Sequence, residues 1–69
     1  MKYRRWASAI ASCRAALQVG HLTKHGRHWM FRRRFYERIF HGVTVNALID
    51  AGEAVRVGDH VVKWRPSNA

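Results

Sequence analysis

Gly58-Asp59 stands between two short runs of alternating character, Val55-Arg56-Val57 before it and His60-Val61-Val62-Lys63-Trp64 after it. A Gly-Asp pair flanked in this way predicts a two-residue hairpin turn, because glycine accepts the backbone conformation such a turn demands. The register follows. Val57 faces His60, Arg56 faces Val61, and Val55 faces Val62. Alternation then puts Val55, Val57, His60, Val62 and Trp64 on one side of the ribbon. Arg56, Val61, Lys63 and, just beyond, Arg65 fall on the other. The expectation is an apolar inner face and a basic outer one. Pro66 ends the second strand, and residues 66–69 are expected to fray as a tail.

A helix is expected to feed this hairpin. Thr44 can cap it, Val45, Leu48 and Ile49 share its inward face, and Gly52 suits the left-handed position at its end. Upstream, Tyr3, Trp6, Ile10, Cys13 and Leu17 recur at spacings of three and four, which predicts a helix over 3–19 stopped by Gly20. Arg4, Arg5, Ser8, Ser12 and Gln18 fall on its wet side. Residues 21–26 are polar and predict a loop that bends at Lys24, His25 and Gly26. Trp29, Met30 and Phe31 fit a brief strand, although three consecutive apolar residues do not decide between strand and helix. Phe35, Tyr36, Ile39, Phe40 and Val43 recur at helical spacing and predict an amphipathic helix ending near Gly42. The fold class expected is therefore α+β, N-terminal helices followed by a C-terminal β-hairpin.

With 69 residues there is room for one domain, 1–69. A chain of this size buries roughly 60% of the surface its unfolded form exposes, so its core is small. The three Trp, three Phe and two Tyr supply large units of burial, a composition that is also compatible with a homodimer. Thirteen Lys and Arg against four acidic residues give a formal charge of +9. Such an excess asks for a polyanion or an acidic protein surface. No apolar run approaches the roughly 18 residues of a membrane span, and no membrane partner is expected. The first residues superficially resemble a signal peptide, but Ser8, Ser12 and Arg14 interrupt the apolar run. The single Cys13 excludes an internal disulfide and fits a reducing, cytoplasmic setting.

The order helix, short strand, helix, helix, hairpin resembles the winged helix-turn-helix family. The closest local likeness runs from Thr44 through Asn46, Gly52 and Gly58-Asp59 to Val62, and it resembles that family's recognition helix and first wing. The resemblance implies a winged-helix-like DNA-binding domain with a role in transcription regulation. It further implies a helix in the major groove and a wing along phosphate or the minor groove. The sequence departs from the family in one respect: residues 44–51 contain no Lys or Arg and do contain Asp50. A weaker likeness joins Leu48-Ile49-Asp50-Ala51-Gly52 and Val57-Gly58-Asp59-His60-Val61 to fragments of the ribosomal S4-type RNA-binding domain.

Arg32-Arg33-Arg34 with Arg38 is the densest charge cluster, offset locally by Glu37 alone. Phosphate contact is expected from Arg32, Arg33, Arg34, Arg38, Arg56, Lys63 and Arg65, with Thr44 and Asn46 suited to base edges. Trp29, Phe31, Phe35 and Tyr36 interleave with these cations and offer faces on which bases can stack, although so small a core claims most of them. His21, His25 and His28 with Cys13 have spacings that approach a metal site, but Lys24 and Arg27 sit among them and repel a dication; no metal and no other cofactor is expected. Cys13 lies on the apolar stripe, as a buried thiol would. The four carboxylates show no spacing for acid/base work, and no enzyme is expected. The sequence thus predicts a small basic nucleic-acid-binding protein, with DNA favoured over RNA. The alternative is a compact protein-binding module for an acidic host protein or nucleoprotein complex. A phage-encoded, anti-CRISPR-like inhibitor of a host or defence complex would be of that kind.

Overall fold

Three two-residue turns organise the middle and end of the chain. In a computed structural model that describes residues 2–66, with side chains from residue 6 onward, the pairs His25–His28, Arg33–Tyr36 and Val57–His60 each close a hairpin. Gly26 and Gly58 open two of these turns at φ of 61° and 62°, and Arg34 opens the third at 48°. Glycine takes that left-handed region freely, whereas a side chain there is crowded by its own backbone. The elements are α1 (Lys2–Val19), β1 (Leu22–His25), β2 (His28–Arg33), β3 (Tyr36–Phe40), α2 (Gly42–Asp50), β4 (Ala54–Val57) and β5 (His60–Lys63). They make a small α+β domain with a five-stranded antiparallel sheet in the order β3-β2-β1-β5-β4.

Both helices cover one face of that sheet. From α1 come Cys13, Ala16 and Leu17, and from α2 come Val45 and Leu48. The sheet answers with Leu22, Trp29, Phe31, Phe40, Ala54 and Val61. Burying each large side chain contributes about 1.5–3 kcal/mol, so this one cluster supplies most of the drive to fold. α1 stops where expected, with the Gly20 amide donating to the Ala16 carbonyl at 3.0 Å. α2 ends in a Schellman motif: Gly52, at φ 78°, donates to the Ile49 carbonyl, and Glu53 donates to that of Leu48 at 2.9 Å. Arg14 of α1 forks onto Glu53 at 2.7 and 3.0 Å, tying the first helix to the α2–β4 corner. That hydrogen bond holds the Glu53 carboxyl below its ordinary value.

The far face of the sheet is uncovered. One cross-strand row traverses all five strands: Ile39, Met30, Thr23, His60 and Val57. Ile39 and Val57 are 46% and 55% exposed there.

Several expectations are corrected. Residues 22–25 are not a loop but β1, the central strand, whose one buried residue, Leu22, gives no alternation to read. Residues 35–41 are not a helix. Phe35 is in a turn, and Tyr36–Phe40 pairs with β2 along its whole length. Of the five residues placed on that helix's inner face, only Phe40 is buried. Thr44 does not cap α2: the cap position is His41, whose carbonyl accepts from Thr44 and Val45 at 3.0 and 3.2 Å, while Thr44 is 4% exposed.

The terminal hairpin has the expected register, extended at its open end by one further pair, Ala54 opposite Lys63. Its faces, however, are reversed. Ala54, Arg56, Val61 and Lys63 turn toward the helices, because β5 also pairs with β1 and Leu22 lies opposite Val61. The third strand, absent from any local reading, decides which side is core. The side chains of Tyr3, Arg4 and Arg5 and the tail 67–69 lie outside the described residues.

Candidate nucleic-acid interface

Trp29 is the floor of a small basic hollow. Its ring is buried in the helix-covered face, and the Arg56 guanidinium lies over it at 5.2 Å from the ring centre. Arg56 is steadied by donating from Nε to the Gly58 carbonyl at 2.9 Å. Lys24 is directly opposite Trp29 on β1 and so shares its face. The β1–β2 turn brings Arg27 against the start of α2, where the Gly42 amide donates to Nδ1 of His28 at 3.1 Å. Neutral His28 therefore carries its proton on Nε2. Asn46, one turn into α2, completes a cavity of about 130 Å³ with Lys24, Arg27, His28, Trp29 and Arg56. No carboxylate lines it among the described residues.

A second cationic group occupies the opposite end of the strands. β2 runs six residues from His28 to Arg33, so the two ends stand roughly 17 Å apart at about 3.3 Å per step. Arg32 is neutralised by Glu37 across the β2–β3 pair, at 2.7–2.8 Å. Arg33 and Arg34 make no ion pair among the described residues. Phe35, beside them in the turn, is 96% exposed.

The other expected contact residues are dispersed. Arg38 turns toward α1, with its guanidinium over the Phe40 ring at 4.9 Å. Lys63 is half-buried and donates to the Gln18 side chain at 2.9 Å. Arg65 is exposed beyond β5. Thr44 is enclosed, so its hydroxyl cannot reach a base edge. Of the nine residues expected from sequence, the structure thus gathers Asn46 with Arg56 at one end and Arg32, Arg33 and Arg34 at the other. Sequence reasoning did not place Lys24 and Arg27 in the contact set. The Gly26-Arg27 turn was the available signal, since a hairpin there returns both cations to one end of the sheet.

Cys13 is fully enclosed, and burial pushes its thiol up to about 11, opposed by the Arg38 charge. A thiol so held is a poor nucleophile at neutral pH. Four of the five histidines pair off rather than converge on a common point: His21 meets His60 edge-on at 5.0 Å and His28 meets His41 at 4.8 Å. Among the described residues no group of His, Cys, Asp and Glu could hold a metal ion, and no helix is long and apolar enough to cross a membrane. No protein-family model, curated protein or solved structure matches the chain.

Proposed function

We propose that this protein binds nucleic acid through its phosphates, with duplex DNA as the favoured form. The observation that carries this reading is the carboxylate-free hollow where Lys24, Arg27 and Arg56 meet beside Asn46. Cations held together without a counter-charge repel one another, and a phosphate oxygen relieves that repulsion. Arg33 and Arg34 provide a second anchor at the other end of the strands. A duplex carries one charge per roughly 1.7 Å of axis, so both anchors can find phosphates at once. The likeness to a winged helix is local, confined to α2, Gly52 and the terminal hairpin, because the stretch expected as its middle helix is β3. Contact would nevertheless come from the strand ends rather than an inserted helix, since residues 44–51 hold no cation and β5 is paired on both sides. A cytoplasmic setting fits the lone thiol.

Fluorescence anisotropy on a labelled duplex across a salt series tests this. If Lys24, Arg27, Arg33, Arg34 and Arg56 each neutralise one phosphate, the log–log slope is about −4.5. Absence of binding at low salt, or binding indifferent to salt, overturns the proposal.

A second reading, an acidic protein partner, is favoured by the uncovered row from Ile39 to Val57, in which Ile39, Met30 and Val57 are apolar and Thr23 and His60 polar, on a chain of charge +9. A tagged chain that retains a defined acidic protein after nuclease treatment, with Met30→Asp abolishing capture, supports it. Loss of the partner with the nucleic acid removes it.

A further inference from the structure

We infer that the β2–β3 turn is a base-stacking tip, in which Phe35 lays its ring on an unpaired or unstacked base while Arg33 and Arg34 hold the neighbouring phosphates. This rests on the nucleic-acid reading above and adds to it a preferred feature of the ligand. Phe35 is 96% exposed, the most exposed of the large apolar side chains among the described residues. It is presented at the apex of a two-residue turn between Arg33 and Tyr36. The base of that turn is firm: Tyr36 meets the buried Phe31 ring edge-on at 5.9 Å, and Arg32 is locked to Glu37. At the apex Arg34 holds a left-handed backbone at φ 48°, the position where the other two hairpins carry glycine. A side chain kept there against its backbone preference suggests that the guanidinium is wanted at that point. It lies over one face of Phe35 at 5.6 Å, leaving the other face bare.

An aromatic ring flanked by free guanidinium groups matches what a base and its phosphates present: a flat π face between two negative charges. Stacking tolerates any base but requires a free face, which an intact duplex step does not offer. A lipid surface is the poorer fit, because interfacial anchoring draws on an extended apolar face and this tip presents a single ring.

The test compares two duplexes, one fully paired and one carrying a single unpaired 2-aminopurine, against wild type and Phe35→Ala. Because Phe35 touches none of the core and carries no charge, the variant should fold and keep its salt dependence. Wild type is expected to prefer the unpaired site by roughly 5-fold or more and to quench its fluorescence. Phe35→Ala is expected to lose both preference and quenching while binding the paired duplex unchanged. Equal wild-type affinity for the two duplexes, or a preference that survives in Phe35→Ala, overturns the inference and leaves the phosphate-binding reading standing. Failure of wild type to bind either duplex at low salt defeats both. Binding to anionic vesicles that Phe35→Ala abolishes, with no response of the base, reassigns the tip to lipid and overturns the inference.

Discussion

A methyl group on Gly42 would sit 2.7 Å from the Arg27 carbonyl oxygen, closer than real contacts allow. This close approach presses the β1–β2 turn against the start of α2 and gives the basic hollow its wall. Gly42→Ala should therefore lower stability by about 1–3 kcal/mol in urea unfolding, since the clash is with backbone and cannot be relieved by a rotamer. The better helix propensity of alanine offsets at most about 1 kcal/mol of this. An unchanged midpoint would show that the turn yields freely. Cys13 gives a pH prediction at the same scale. Its thiol is raised from 9.0 to about 11 in the folded chain, so between those values the unfolded form loses the proton first. Stability attributable to this group is intact below pH 9 and falls as pH rises toward 11, by about 3 kcal/mol at 1.36 kcal/mol per unit. Cys13→Ala should lose stability less steeply than wild type over that interval. Parallel curves would contradict the enclosure of the thiol.

The hairpins show which elements local sequence can specify. Gly58-Asp59 between Val57 and His60 sufficed for the register of β4 and β5 from Val55 to Val62, and Gly52 for the end of α2, because glycine requirements are local. The β2–β3 hairpin carries no such mark. Its turn residues are Arg34 and Phe35, and the apolar residues around them fall at helical spacing. Pairing of Tyr36–Phe40 with β2 overrode that spacing, as tertiary contacts do for strand propensity. β1 was illegible for the related reason that a strand with one buried residue has no period. The inward face of the last hairpin is likewise set by β1, whose polar residues carry no strand period. Of the contact residues, Asn46 and Arg56 were legible by type, but their meeting with Lys24 and Arg27 depends on that same strand. At Arg34, substitution by glycine removes the crowding of the left-handed backbone. Arg34→Gly should raise stability by about 0.5–1 kcal/mol, less whatever the freer unfolded chain regains. Duplex affinity should fall at the same time. A loss of stability would mean that the arginine side chain supports the turn.

At the scale of the whole molecule, the formal charge is +9, from thirteen Lys and Arg against four acidic residues. Two carboxylates are engaged in the described ion pairs, Glu53 with Arg14 and Glu37 with Arg32. The remaining strand-end cations form one group over Trp29 and another at the β2–β3 turn. The first is enclosed by a turn, a helix start and a hairpin, and it carries the proposed role. The decisive measurement is the salt dependence of duplex binding by wild type and by the Lys24→Ala, Arg27→Ala double variant, whose side chains are exposed and outside the core. The log–log slope should become shallower by about 1.8, two contacts at about 0.9 each, with weaker binding at every salt concentration. A double variant with the wild-type slope and affinity would contradict the hollow as the seat of phosphate binding.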